Sequence, residues 1–244
     1  MGDRDRASLV QGLGRALRQP WRLNQAARYS IDAFVQRYAS ARGLAFDATD
    51  ATPPATWFLE TVVPDKSHSY IHGPLAGGAE GTLFYVEKPV RSRKKGVMQG
   101  WTVALYELPE SRQLAYGLAW VWRRPESVWG GRVKLSSALP RGMSEFGVGD
   151  DTLDERHLTA ISSETDGPAV GRLFTDDFVA WLNQLPWQRT GDGVIRFELR
   201  NGVLCVYVRD KLKTEEALDE FCARAARIAA EIRSASLRDE TRSI

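Results

Sequence analysis

The alternation of apolar and polar positions is clearest between Val194 and Val208, where two strand-like runs flank the dipeptide Asn201-Gly202. Asn-Gly supplies the two positive-φ residues of a type I′ turn, so the pattern predicts a β-hairpin with a two-residue loop. The loop fixes the register, which places one set of apolar residues on a single face: Ile195, Phe197, Leu199, Leu204, Val206 and Val208. The opposite face is predicted to be polar and carries Arg196, Glu198, Cys205 and Tyr207.

After the hairpin, the apolar residues recur at helical spacing. Thr214 is a predicted N-cap, and Glu215 and Glu216 occupy the first turn, where acidic residues stabilise a helix N-terminus. One stripe of this predicted helix is apolar: Leu218, Phe221, Cys222, Ala225, Ile228, Ala229 and Ile232. Packing its four large members on the hairpin contributes about 6 to 12 kcal/mol before the entropy of ordering is subtracted. Residues 234–244 carry no stripe, and we expect them to fray.

The first half of the chain changes from a helical period to a strand period. Apolar residues recur at helical spacing from Trp21 to Arg42, and Gly43 then offers a favourable helix C-cap. Residues 57–134 alternate with a period of two, which predicts an antiparallel meander with strands near 57–63, 82–88, 98–108 and 114–122. The remaining predictions are a flexible connection at 140–156, a strand at 157–162, a short helix after Pro168 and a helix that begins at Thr175 and ends at Pro186.

These elements predict an α+β fold in which a largely antiparallel sheet packs against N-terminal and C-terminal helices in two layers. The predicted segments are a weakly structured amphipathic segment 1–20, a helix plus β meander 21–139, a strand, helix, hairpin and helix unit 157–233, and a frayed tail 234–244. We expect the C-terminal unit to pack with the meander.

Composition narrows the class of protein. Of the 244 residues, 43% are hydrophobic and 10% aromatic, which is enough for a globular core. A net charge of +2 gives no general attraction to nucleic acid, although residues 1–42 are rich in arginine and residues 145–192 are acidic. Cys205 and Cys222 are predicted on different faces, which argues against a disulfide. Free thiols, the lack of a secretory signal and the lack of a long apolar run predict a cytoplasmic location.

Several stretches resemble a family of uncharacterised bacterial proteins. They are Ala41-Arg42-Gly43, Leu173-Phe174-Thr175 with Phe178 and Trp181-Leu182, Phe197-Glu198-Leu199, Gly202 to Val208, and Ala225 to Ala229. The resemblance spans most of residues 30–233 and rests largely on apolar spacing. The family is a domain of unknown function, so the resemblance implies the architecture just described and supplies no catalytic residue.

Candidate catalytic, cofactor and metal residues do not form a convincing set. His68 and His72 lie near Asp65, but on a strand the two histidines are about 13 Å apart, too far for one zinc ion. The glycine-rich run 73–81 lacks the lysine and the following helix of a phosphate-binding loop. No Gly-x-Ser-x-Gly motif is present, and His157 is expected to be a solvated histidine. We therefore predict no catalytic, cofactor or metal residue.

Tryptophan and arginine on the meander give the best candidate for a functional surface. Trp120 and Trp122 alternate on one strand and project the same way, and the two residue types are enriched in binding hot spots. A basic turn at 91–96 could extend the surface toward an anionic partner. The predicted interaction surface consists of Trp101, Trp120, Trp122, Arg123, Arg124, Arg91, Arg93, Lys94 and Lys95.

Three hypotheses about function follow. The first is a non-catalytic protein-interaction or adaptor domain that binds a protein partner, or a second copy, through the tryptophan and arginine surface. The second is a peripheral protein that docks on an anionic membrane through the basic amphipathic residues 4–28. The third is an enzyme whose site is assembled from residues far apart in sequence. The sequence favours them in that order, and it carries no specific nucleic-acid or metal signal.

Overall fold

All nine strands in the described part of the chain belong to one antiparallel sheet. This computed structural model describes residues 20–48, 56–62, 67–75, 79–89, 98–115, 117–122, 142–186 and 193–240. The strands are β1 Ala45–Asp47, β2 Ser67–Leu75, β3 Ala79–Pro89, β4 Met98–Glu107, β5 Gly117–Trp122, β6 Ser144–Glu145, β7 His157–Ile161, β8 Ile195–Arg200 and β9 Val203–Val208. Their order across the sheet is β1-β2-β3-β4-β9-β8-β5-β7-β6.

Six α-helices accompany the sheet in the described ranges. They are α1 Pro20–Ala41, α2 Trp57–Val62, α3 Asp151–Arg156, α4 Gly167–Leu173, α5 Asp176–Gln184 and α6 Glu215–Glu240. Short 3₁₀ turns span Pro109–Gln113 and Glu164–Asp166. The predicted α+β class with an antiparallel sheet is confirmed. The predicted caps are confirmed as well: Gly43 adopts a φ of 66°, and the Thr175 hydroxyl accepts from the Phe178 amide.

The predicted hairpin forms with the predicted register. Asn201 and Gly202 have φ values of 50° and 82°, and Phe197 pairs with Val206. The hairpin lies in the middle of the sheet, because β9 pairs with β4 and β8 pairs with β5. The C-terminal unit and the meander therefore contribute neighbouring strands to the same sheet.

One side of the sheet, which we call the helical face, is covered by five of the described helices. Residues from α1, α3, α4, α5 and α6 share one apolar cluster with the hairpin residues predicted to point inward. The α6 stripe, represented by Leu218, Phe221 and Ile228, is buried there as expected. An ion pair also joins the end of α1 to α6, since the guanidinium of Arg42, the residue after α1, contacts the Asp219 carboxylate at 2.6 and 2.9 Å.

The opposite side of the sheet, the α2 face, is also apolar and buried. Phe58 and Leu59 of α2 pack against aromatic and aliphatic residues of β2, β3, β4 and β9. The second face of the hairpin carries the four residues predicted for it, but this polar set is covered. Its members Arg196, Glu198, Cys205 and Tyr207 are all buried.

Two predicted segments differ in type. Residues 57–63 were expected as a strand, but Trp57–Val62 is helical, because the Thr56 hydroxyl accepts from the Leu59 amide and caps the first turn. The 140–156 connection contains β6 and α3. Asp150 caps α3 by accepting from the Leu153 amide at 2.8 Å, so an acidic residue that indicated a loop begins a helix instead.

The C-terminal helix is longer than expected. Residues 234–240 continue α6, whereas fraying was predicted from 234 onward. Ala235 and Ser236 are buried, and Arg233 contacts Glu110 of the Pro109–Gln113 turn at 2.6 Å. Small side chains pack this end of the helix. A stripe of large apolar residues therefore could not indicate that the helix continues. Residues 241–244 lie outside the described ranges.

Candidate functional site

Two members of the predicted tryptophan and arginine surface, Trp101 and Trp120, lie in the core instead of on the surface. Trp101 is 6% exposed and Trp120 is fully buried, so both belong to the core. They also lie on opposite sides of the sheet, Trp101 on the α2 face and Trp120 on the helical face. Trp122 pairs with His157 between β5 and β7, but its side chain is not described. The other predicted members lie outside the described residues: Arg91, Arg93, Lys94, Lys95, Arg123 and Arg124.

His157 is buried rather than solvated. Its ring stacks on Trp120 with 3.8 Å between ring centroids, and the side chain is 4% exposed. Burial, together with the nearby Arg156 and Arg196, lowers the pKa of His157 to about 3. The imidazole is therefore neutral at physiological pH. The sequence indicated an acidic environment and could not reveal the tryptophan that covers this histidine.

His68 and His72 are separated by a bulge in β2. The register against β3 shifts between His68 and Ile71, and Ser69 adopts a positive φ of 58°. His68 is buried on the helical face, whereas the His72 ring contacts the Thr82 hydroxyl at 3.1 Å and stacks on Tyr70. The two rings do not converge. Among the described residues no group of histidine, cysteine and carboxylate side chains has the arrangement of a metal site.

A polar cluster surrounds the bulge, and we call it the bulge cluster: Asp32, His68, Ser69, Glu87 and Lys211. The His68 Nδ1 contacts the Ser69 hydroxyl at 2.7 Å, and that hydroxyl donates to Asp32 of α1. On the other side of the imidazole, Nε2 lies 3.7 Å from a Glu87 oxygen, which is also paired with Lys211. The two carboxylates thus flank the ring from opposite sides and cannot bind the same metal ion.

The bulge cluster is closed by packing. Ser69 is fully buried and His68 stacks against Tyr85, while Asp32, Glu87 and Lys211 form a partly exposed rim. Burial and the neighbouring Lys213 lower the pKa of Lys211 to about 8. A positive φ at a serine stores strain, which makes the cluster a candidate site. Its contacts also have a structural role, because they join α1 to β2 and β3.

A second candidate site lies on α2, and we call it the α2 patch: Trp57, Glu60, Val121 and Arg200. Trp57 and Val121 are half-buried and pack against the same small cluster of Ala119, Met143 and Ala160. The Arg200 guanidinium lies 5.2 Å from the centroid of the Trp57 ring and contacts Glu60 at 2.5 Å. The Arg200 and Glu60 side chains are 27% and 50% exposed. A partly exposed tryptophan and arginine pair therefore exists, but it is not the predicted one.

Two contacts hold Trp57 in this position. A Cβ atom at Gly117 would clash with the Trp57 ring, so the absence of a side chain on β5 allows the indole to approach the backbone. The ring of the next residue, Phe58, stacks on the Tyr207 ring with 3.8 Å between their centroids. The patch is thus carried by a short helix that is fixed to the sheet at both of its first two residues.

A buried carboxylate anchors the start of α2. Glu198 accepts from the Phe58 amide at 2.8 Å and from the Tyr207 hydroxyl at 3.2 Å. Burial raises the pKa of Glu198 to about 7, although both hydrogen bonds and Arg200 favour the charged form. Burial also raises the pKa of the neighbouring Cys205 thiol, and Glu198 adds to that shift. Both cysteines are buried, and they lie on opposite faces of the sheet.

Sequence reasoning missed the α2 patch because it assigned Trp57 to a strand. The available signal was Thr56, a residue type that favours the N-cap of a helix. Arg200 was placed correctly at the end of β8, but its neighbour Trp57 is distant in sequence.

Comparisons with known protein families, with curated proteins and with solved structures found no match to this chain. The resemblance to a domain of unknown function therefore stays a prediction. No helix in the described ranges is long and apolar enough to cross a membrane. Residues 1–19, which carry most of the predicted membrane-docking segment, lie outside those ranges, so that hypothesis also stays a prediction.

Proposed function

We propose that this chain is a non-catalytic protein-interaction domain and that the α2 patch is its binding surface. The observation that carries the proposal is the half-buried Trp57 beside the partly exposed Arg200. Tryptophan and arginine dominate the binding energy of protein interfaces, because each buries a large area and offers a specific polar contact.

The fixed position of Trp57 supports the proposal. Its ring rests on Gly117, and α2 is anchored through Phe58 and Glu198, so little side-chain entropy remains to be lost on binding. A preorganised anchor lowers the entropic cost of forming an interface. The surrounding Val121 offers apolar area, and Glu60 offers a polar rim.

The environment of the candidate nucleophiles favours a non-catalytic role. Among the described residues, the thiols of Cys205 and Cys222 are fully buried. Burial also raises the pKa of the Cys205 thiol well above its ordinary value, which disfavours the reactive thiolate. These groups are engaged in packing, whereas the α2 patch faces solvent in part.

Site-specific photo-crosslinking tests the proposal. We expect p-benzoylphenylalanine in place of Glu60, in the full chain expressed in its own cells, to give a discrete protein adduct. Substituting Trp57→Ala in the same chain should abolish it, while circular dichroism shows an unchanged fold. The matched control is the same photo-crosslinker in place of Ala223, an exposed position on α6. Equal yields from positions 60 and 223, or an adduct that survives Trp57→Ala, would contradict the proposal.

The strained Ser69 favours a second candidate function, hydrolysis by the bulge cluster. Its hydroxyl lies between Asp32 and His68, as a nucleophile activated by a base would. A fluorophosphonate tests this directly. The Ser69 Oγ forms a bond to phosphorus, the bond from phosphorus to fluorine breaks, fluoride leaves, and the hydroxyl proton passes to Asp32. Labelling that Ser69→Ala abolishes would support a hydrolase, and a chain that stays unlabelled when folded would exclude this candidate.

A further inference from the structure

The charges of the α2 patch point to a partner, on the assumption that the proposed function holds. We propose that the patch binds the same patch of a second copy of this chain, related by a twofold axis that passes close to Trp57. Arg200 of one copy then contacts Glu60 of the other, and the reverse contact forms at the same time.

The arrangement of opposite charges supports a second copy. Glu60 and Arg200 lie 2.5 Å apart on one surface, so the patch has no net charge and gives neither an anionic nor a cationic partner an overall advantage. A twofold interface requires a surface that is complementary to itself, because every residue meets its counterpart across the axis. Neighbouring opposite charges beside an aromatic residue satisfy that requirement.

The apolar part of the patch suits the same geometry. Trp57 would lie near the axis, where the two indoles meet and exclude water from the charged contacts. Val121 and the half-buried Val203 of β9 extend the apolar area beside α2. Trp57 and Val121 are already half-buried within one chain, so little apolar area remains to be buried between two copies, and we expect a reversible, concentration-dependent dimer rather than an obligate one.

Charge reversal provides the first part of the test. We expect the full chain to shift, in sedimentation velocity at low salt, from the mass of 27.3 kDa toward twice that mass as its concentration rises. Glu60→Arg and Arg200→Glu should each remain monomeric, because each variant places like charges opposite one another in both contacts. The exposed Glu216→Arg on α6 serves as the matched control and should dimerise like the unaltered chain.

Mixing the two variants provides the second part. A chain with Glu60→Arg and a chain with Arg200→Glu have opposite charges at both contacts, so their equimolar mixture should recover the dimer. The double variant in one chain should dimerise as well. An unaltered chain that stays monomeric, or variants whose mixture stays monomeric, overturns the twofold proposal. An adduct from position 60 with a different protein mass would then still support an interaction domain, so the two proposals fail separately.

Discussion

On its helical face the sheet is covered by five helices whose apolar residues interlock with those of the β-strands, whereas the described cover of the α2 face is a single helix of six residues. The helical face holds its cover by continuous apolar packing. On the α2 face, a few specific contacts hold the helix. The Phe58 amide donates to the Glu198 carboxylate, the Phe58 ring stacks on Tyr207, and the Trp57 ring packs closely on Gly117. Both faces are buried, but they differ in the kind of contact that holds their covering helices. A cover held by a few contacts can respond to a partner or to pH without loss of the main core.

The largest expected difference between the faces is the loss of stability when a core phenylalanine is replaced by alanine. Phe197→Ala on the helical face should lower the free energy of unfolding by about 3 to 5 kcal/mol, because a large cavity forms among fixed helices. The matched Phe58→Ala should cost less than half as much, since a six-residue helix can detach locally. Urea denaturation followed by tryptophan fluorescence gives both values. Equal losses would mean that α2 is as integral to the core as the hairpin.

A second expected difference is the pH dependence of the α2 face. Because the pKa of Glu198 is raised from 4.5 to about 7 in the folded chain, its contribution to stability is full below pH 4.5 and is lost as the pH rises through 7. Relative to Glu198→Gln, the free energy of unfolding should fall by about 3 kcal/mol across this interval. Urea denaturation at a series of pH values measures the difference. The exposed Glu216→Gln is the control, and a pH-independent difference for Glu198→Gln would disprove the assignment.

The smallest effect compares two helix caps of the same type. Thr56 caps α2 and Thr175 caps α5, each by accepting one backbone amide at 3.3 Å. Removing either hydroxyl by substitution with alanine should cost about 1 kcal/mol at the helix concerned. For Thr56→Ala we expect faster amide hydrogen exchange confined to α2, whereas Thr175→Ala should lower global stability. If Thr56→Ala accelerates exchange throughout the sheet, the independence of α2 is refuted.

The same contrast explains which parts of the fold could be predicted from sequence. The hairpin follows from adjacent residues, because Asn201-Gly202 sets the turn and the turn sets every pair along both strands. The start of α2 instead depends on Glu198, which is 140 residues away from Phe58 in sequence. A period of two that begins at Trp57 suggested a strand, and a distant carboxylate together with a local cap overrode that pattern.

The candidate site on α2 was not predicted, although a surface of the same two residue types was expected elsewhere. Trp120 and Trp122 were expected to project from the same face of β5, and of these two side chains the structure describes that of Trp120. Alternation cannot show whether a second layer covers that face, however, and here helices bury Trp120 while α2 contacts bury Trp101. The pair of Trp57 and Arg200 arises only when α2 docks, so no local pattern contains it.

The central position of the hairpin has a consequence for biosynthesis. Until β8 and β9 have emerged from the ribosome, β4 and β5 each lack one of the two strands with which they pair, and the sheet remains divided in two. Each half then presents an unpaired, apolar strand edge that can associate with other nascent chains. Release of residues 194–208 is therefore the step that closes the sheet, and a chain truncated before Val194 would keep both unpaired strand edges permanently.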